Sequence, residues 1–130
     1  MDEADQIWNR AATGDGGPQS RVGDRALTSV LRLHSLAMSG GMLDAVERLT
    51  DAQLDEAEVG YRWLRLDGAA EVVAYVRREI ASGAVDDDAR TEALERRVDA
   101  DYRRVIPTDS TIETVYRELL DELPEAFATL

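Results

Sequence analysis

The sequence contains no cysteine and no lysine, and only one of its 130 residues is histidine. Without cysteine the chain can form neither a disulfide framework nor a reactive thiol. The single histidine, His34, cannot supply the Cys and His ligands that structural zinc sites use. The composition therefore predicts no cofactor and no metal centre, and the missing cysteine is compatible with a reducing cytoplasm.

Long apolar runs are also missing. No stretch approaches the roughly 20 apolar residues that a membrane span requires. Residues 1–5 are mostly acidic and no apolar run follows them, which is not the pattern of a secretory signal peptide. We therefore predict a soluble, cytoplasmic protein that does not bind a membrane.

The charge of the chain is strongly one-sided. Acidic residues outnumber basic residues by 27 to 15, every base is arginine, and the formal net charge is −12. Such a charge repels nucleic acids and anionic membranes, and it favours either basic partners or solubility alone. We expect no direct nucleic-acid binding, and we expect any macromolecular partner to be a basic protein.

Apolar residues recur with the helical period along most of the chain. The most apolar stripe is formed by Leu27, Leu31, His34 and Met38. Similar stripes, interrupted at 39–41, 67–68 and Pro107, predict an all-α bundle of six or seven short helices in a single domain. Residues 72–76 have strand propensity, but their helical period favours a helix.

The chain divides into two regions. Residues 1–23 are predicted to form a short helix and a flexible glycine-rich loop at 13–20, and residues 24–130 form the helical domain. Asp24 is predicted to cap the first helix of that domain, and Phe127 is expected to fold back onto the core. Two capping boxes predict further helix starts: Thr50 with Gln53, and Ser110 with Glu113.

The helix that follows Thr50 is apolar on two nearly opposite sides. One side carries Leu54, Ala57, Tyr61 and Leu64, and the other carries Ala52, Val59, Trp63 and Leu66. A helix of this kind lies either inside its own bundle or against a second subunit. Both interpretations stay open, and the second predicts a homodimer whose interface contains Val59, Trp63 and Leu66.

Residues with catalytic potential have simpler structural interpretations. His34 lies on the most apolar stripe, which predicts a hydrogen-bonded core histidine rather than a general base. The acids at 86–88 open a helix, where they suit the positive end of the helix dipole better than a bound cation. The glycines at 14–17 lack the Gly-Lys-Ser/Thr ending of a phosphate loop. We therefore predict no catalytic residues and no enzymatic activity.

A line of acids follows the helix that begins near residue 88. Asp88, Glu92, Glu95 and Asp99 recur at i, i+4, i+7 and i+11. Successive acids on such a line lie roughly 5–6 Å apart, so the line can imitate a nucleic-acid backbone towards a basic groove. In the alternative interpretation it is an ordinary solvated face on which Glu92 pairs with Arg96 and Asp99 pairs with Arg103.

Four short motifs carry a resemblance to a known family, beginning at about residue 25. They are the turn at 37–42, the stretch Leu-Arg-Leu-Asp-Gly-Ala-Ala-Glu-Val at 64–72, Val98-Asp99 with Tyr102, and Pro-Glu-Ala-Phe at 124–127. Together they resemble a small family of acidic all-helical bacterial proteins that includes a dimeric DNA mimic binding a transcription factor. The resemblance implies a helical fold, and it implies a dimer that binds a DNA-binding protein.

Three functions follow as hypotheses. The first is a non-enzymatic protein that binds a basic partner through Asp88, Glu92, Glu95 and Asp99, with mimicry of DNA as its more specific form. The alternative is an immunity or antitoxin-type protein that neutralises a toxin. The third is an enzyme or small-molecule binder that uses the turn at 39–41 near His34.

Overall fold

The computed structural model describes residues 1–14 and 18–130, and within these ranges it contains α-helices, two 3₁₀ turns and no strand. The helices are α1 (Glu3–Ala12), α2 (Val22–Gly40), α3 (Met42–Arg48), α4 (Asp51–Trp63), α5 (Asp67–Ala81), α6 (Asp88–Val105) and α7 (Asp109–Glu122). The 3₁₀ turns are Ala84–Asp86 and Pro124–Ala126. The predicted all-α bundle is confirmed, and residues 72–76 lie inside α5. None of the described helices combines the length and the apolar character needed to cross a membrane.

Helix α2 is the centre of the core. Its residues Leu27, Val30 and Leu33 are completely buried, and the helix packs against α1, α3 and α4. Helix α1 adds Ile7, which is also buried, to the same core. The predicted boundary between residues 23 and 24 falls within the first turn of α2. Of the predicted loop at 13–20, residues 15–17 lie outside the described part of the chain.

The contact between α2 and α4 depends on a glycine. A Cβ atom on Gly60 would lie 2.5 Å from the Ser29 hydroxyl oxygen and 2.8 Å from the backbone oxygen of Ala26. The Ser29 hydroxyl also lies within hydrogen-bond distance of two carbonyls, 2.9 Å from that of Ala26 and 3.1 Å from that of Glu56. Gly60 thus allows the two helix backbones to approach closely, and this approach brings Tyr61 into the core.

Two of the predicted helix starts are confirmed. At α4 the Thr50 hydroxyl accepts from the Gln53 amide at 3.1 Å, and the Gln53 side chain accepts from the Thr50 amide at 3.0 Å. At α6 the carboxylate of Asp87 accepts from the backbone amide of Arg90 at 3.0 Å. The acids at 86–88 therefore include the cap of α6, as their position predicts.

The predicted capping box of Ser110 and Glu113 is wrong. Helix α7 begins at Asp109, one residue before Ser110, so Thr108 occupies the capping position. The Ser110 hydroxyl instead bonds to the Thr108 hydroxyl at 2.6 Å, and Glu113 pairs with Arg117 at 3.3 Å. The pattern of residues was compatible with a box, but the helix starts in a different register.

Asp24 does not occupy the capping position that the sequence predicted. Helix α2 begins at Val22, and Asp24 lies in its first turn with its side chain 1% exposed. Its carboxylate accepts from the Arg21 amide at 2.9 Å, from the Ala128 amide at 2.7 Å and from the Arg10 guanidinium at 2.7 Å. Asp24 therefore joins the beginning of α2 to α1 and to the C-terminal segment.

Phe127 anchors that C-terminal segment. Its side chain is 2% exposed. The ring meets Trp63 edge-on at 5.8 Å between centroids, and it meets Tyr116 edge-on at 5.6 Å. The expectation that Phe127 folds back onto the core is confirmed.

Candidate functional site

The acids of α6 do not all have the same surroundings. Asp88, Glu92 and Glu95 are exposed, and among the described residues they form no ion pair. Asp99 is half-buried, and its carboxylate accepts from the backbone amide of Met42 at 2.8 Å. Asp99 thus satisfies an amide at the start of α3, while the other three carboxylates face solvent.

The ion pairs predicted within α6 are wrong. Within the described residues, neither Glu92 with Arg96 nor Asp99 with Arg103 forms a salt bridge. The pairs that α6 does form belong to Asp101, which lies 3.9 Å from Arg97 and 3.4 Å from Arg104. Asp99 is unavailable to Arg103 because its carboxylate is directed at α3. The acidic line is therefore less neutralised by its own helix than the solvated-face interpretation required.

A groove between α3 and α6 is acidic on both walls. Asp44 and Glu47 line it from α3, and Glu95 and Asp99 line it from α6. Its volume is about 210 Å³. Among the described residues, only Asp44 of these four acids has a cationic partner, since it accepts from Arg48 at 2.9 Å. The groove is a concentration of negative charge to which two separate helices contribute.

The turn between α2 and α3 fixes the geometry of this groove. Gly41 has a φ of +90°, a conformation that residues with a Cβ rarely adopt. A Cβ there would also lie 3.1 Å from a carboxylate oxygen of Asp99. Gly41 therefore lets Asp99 approach the start of α3. The sequence predicted a glycine turn at 39–41 but gave no sign that Asp99 would meet it.

His34 belongs to a chain of hydrogen bonds that joins four helices. Its Nε2 atom lies 2.6 Å from a carboxylate oxygen of Asp109 on α7, and its Nδ1 atom lies 2.7 Å from the hydroxyl of Tyr102 on α6. The hydroxyl of Tyr102 lies 2.7 Å from the hydroxyl of Tyr61 on α4. The predicted burial and hydrogen bonding of His34 are confirmed, since the residue is 4% exposed.

One arrangement of protons uses every donor in this chain. Tyr61 donates to Tyr102, Tyr102 donates to Nδ1 of His34, and Nε2–H of His34 donates to Asp109. Each of these hydrogen bonds crosses from one helix to another, so together they join α2, α4, α6 and α7.

The two tyrosines of this hydrogen-bond chain, Tyr61 and Tyr102, are buried and resist ionisation. Burial raises the pKa of Tyr61 well above its usual value of 10.0, and burial also raises the pKa of Tyr102. In the unfolded chain both phenols have a pKa near 10. Above that pH the native state binds more protons than the unfolded state, so stability falls as the pH rises.

We expect the free energy of unfolding to be unaffected by these tyrosines below about pH 10 and to decrease above it, by up to about 1.4 kcal/mol per pH unit for each tyrosine. Urea unfolding between neutral and strongly alkaline pH measures this slope. Tyr61→Phe should make the slope shallower. Two results would contradict the raised pKa values of Tyr61 and Tyr102. One is an unchanged dependence of stability on pH in Tyr61→Phe, and the other is phenolate absorbance from all the tyrosines while the protein is still folded.

The second apolar side of α4 divides into an exposed part and a covered part. Val59 is 67% exposed, and Ala52 is also exposed. Trp63, the last residue of α4, is half-buried and packs against the core. The prediction that Leu66 lies on the same helix is wrong, because α4 ends at Trp63 and Leu66 is the N-cap residue of α5, where it is also half-buried against the core. The predicted dimer surface therefore consists of Val59 and the outer edges of Trp63 and Leu66.

Acids in the described part of the chain do not gather into a metal-binding geometry. No group of three or more His, Asp or Glu residues in this part could hold a metal ion. Comparison of the chain with protein-family models, with curated proteins and with solved structures gave no match.

Proposed function

We propose that this protein is a non-enzymatic binding protein whose acidic α3–α6 groove engages a basic protein. The single observation that carries the proposal is that both walls of the groove are acidic and are little neutralised. Glu47 lines the groove from α3 and Glu95 lines it from α6, and neither forms an ion pair with another described residue. Glu92 and Asp88, which are exposed, continue the negative charge along α6. Complementary charge attracts a basic partner and sets its orientation.

A basic protein fits this groove better than the other ligands that negative charge could attract. The carboxylates are spread along two helices, whereas a hard cation requires oxygen ligands gathered at about 2.0–2.6 Å from one point. The net charge of −12 opposes direct contact with DNA or RNA. Arginine and lysine side chains are long enough to reach carboxylates that lie several ångströms apart.

The partner can be captured on immobilised protein from the native lysate, and its kinetics then measured. Changing Glu92 and Glu95 together to Gln should lower the association rate constant by about threefold to tenfold, because exposed charges steer a partner more than they hold it. The dissociation rate constant should change less. Raising the salt concentration should weaken wild-type binding, because salt screens the attraction between exposed charges. The Debye length is already only about 8 Å at physiological ionic strength and shortens as salt is added.

A matched control changes Glu118 and Glu125 together to Gln. Both residues are exposed and lie outside the groove, so the control alters net charge by the same amount. If the control slows association as much as the Glu92 and Glu95 variant, net charge and not the groove governs binding. Binding that neither salt nor either double variant affects would contradict the proposal.

DNA mimicry is the more specific form of the proposal. Asp88, Glu92 and Glu95 are exposed and follow one face of α6, where residues three or four apart have Cβ atoms about 5–6 Å apart, which supports this form. A captured DNA-binding regulator should then release its DNA site when this protein is added. A partner that holds both at once would exclude mimicry and leave an ordinary protein-binding function.

We also propose a homodimer in which Val59, Trp63 and Leu66 lie at the interface. Val59 supports it, because a large apolar side chain that is 67% exposed is readily buried by a second copy. Val59→Glu should convert a dimer into a folded monomer in sedimentation equilibrium. It is a cleaner test than a change at Trp63, which packs against Phe127. A wild type that is monomeric at high concentration would contradict the dimer.

A further inference from the structure

Three neighbouring depressions follow one another at the C-terminal end of α2. The first, of about 460 Å³, lies between α1, α2 and α7, and the second, of about 260 Å³, lies between α2 and α6. Met38 lines both of these. The third is the acidic groove of about 210 Å³, and it shares Gly41 and Asp99 with the second. The groove of the proposed function is thus the end of a longer path.

The path has apolar surface as well as charge. Met38 is 54% exposed and stands between the first and second depressions. Trp8, which is half-buried, lines the first depression. An exposed methionine beside an indole offers a partner a flexible apolar contact. An apolar residue of a partner can pack on both side chains.

The charges along the path favour a cationic occupant. Its carboxylates are Asp44, Glu47, Glu95, Asp99 and Asp109. The cation that lines it among the described residues is Arg103. The path also lies at the negative end of the dipole of α2, a helix of 19 residues with no basic residue in its last turn.

Asp109 is a fixed anchor at the far end of the path. Its side chain is 75% exposed, although one of its oxygens lies 2.6 Å from Nε2 of His34. That bond holds the carboxylate beside the depression that Trp8 and Met38 line. A guanidinium or ammonium group placed there can meet a carboxylate that needs little reorganisation.

We propose that this path is the docking site for a basic segment of the partner protein, in which one apolar side chain lies between cationic ones. The apolar side chain packs on Met38 and Trp8, one cation pairs with Asp109, and the cations on the other side enter the acidic α3–α6 groove. This proposal rests on the proposed function and adds to it the composition of the recognised segment.

Two blocked peptides test the composition: Arg-Arg-Leu-Arg-Arg and Arg-Arg-Gly-Arg-Arg, each labelled for fluorescence anisotropy. The leucine peptide should bind about fivefold more tightly, because it buries apolar surface on Met38 and Trp8. Asp109→Asn keeps an acceptor for His34 and removes the charge, and Met38→Ala removes the apolar contact. Each should weaken binding of the leucine peptide about threefold to fivefold.

Matched controls and a local reporter distinguish the path from general charge attraction. Asp121→Asn removes an exposed acid at the other end of α7, and Val22→Ala shortens an exposed apolar side chain at the start of α2, at the opposite end of that helix from the path. Neither should change the affinity by more than about twofold. In a Trp63→Phe background Trp8 is the remaining tryptophan, and its emission should change when the leucine peptide binds.

The outcomes separate the two proposals. The docking path is supported if the leucine peptide binds more tightly than the glycine peptide, changes the emission of Trp8, and binds more weakly to Met38→Ala and to Asp109→Asn. Binding of both peptides with equal affinity, without a Trp8 response and without sensitivity to either variant, overturns the path and leaves the acidic groove as the binding site. If neither peptide binds at low salt, both the path and the proposed function are overturned.

Discussion

Asp24→Ala is expected to lower the free energy of unfolding by about 4 kcal/mol, the largest effect of any single change considered for this protein. The carboxylate is buried and accepts from Arg10, from the Arg21 amide and from the Ala128 amide. Removing it leaves the Arg10 guanidinium without its counter-charge and the Ala128 amide without an acceptor. Breaking a buried ion pair on one side costs about 3–5 kcal/mol, which exceeds any gain from burying an alanine.

The same change should release the C-terminal segment before the rest of the chain unfolds. Limited proteolysis should cut near Ala128 at a lower urea concentration in Asp24→Ala than in the wild type. Asp121→Ala, an exposed acid on α7, provides the control and should shift stability by less than about 0.5 kcal/mol. A loss below about 1 kcal/mol in Asp24→Ala would contradict the role assigned to the buried carboxylate.

Tyr102→Phe is expected to lower the free energy of unfolding by about 3 kcal/mol. The Tyr102 hydroxyl is the middle of the hydrogen-bond chain, so its removal leaves Nδ1 of His34 without a donor and the hydroxyl of Tyr61 without an acceptor. Both groups are buried. Each buried polar group left unpaired costs about 1–3 kcal/mol, while the ring and its packing are retained.

Tyr61→Phe is the matched control because it also removes a tyrosine hydroxyl, but from the end of the hydrogen-bond chain and not from its middle. Tyr102 can still donate to His34, so no nitrogen loses its partner, and the loss should be about 1 kcal/mol. Chemical denaturation of the two variants at neutral pH gives the comparison. If the two losses are equal, the hydroxyls contribute independently and the chain is not a connected network.

The helices could be predicted from the sequence because their signals are local. The stripe of Leu27 and Leu31 needs only the helical period, and the box of Thr50 with Gln53 needs only residues three positions apart. The Ser110 box failed although its residues fit, since α7 begins at Asp109 and Thr108 occupies the N-cap position. Propensity limits where a helix can start, and tertiary packing selects among the possible positions.

The site could be predicted only in part, because its contacts join residues that are distant in the chain. Asp24 meets the Ala128 amide across 104 positions, and His34 meets Tyr102 across 68. The acidic line of α6 was visible in the sequence. The second acidic wall, Asp44 and Glu47, was not, because no local pattern indicates that α3 lies beside α6.

The measurement that tests the central claim most directly is a nuclear magnetic resonance titration of the isotope-labelled protein with its captured basic partner. The chain of 130 residues is small enough for residue-by-residue assignment. We predict that the largest amide shift changes cluster on both walls of the groove, around Asp44, Glu47, Glu95 and Asp99, and that they shrink as salt is added. Shift changes confined to α4 and α5, with the groove unaffected, would contradict the account.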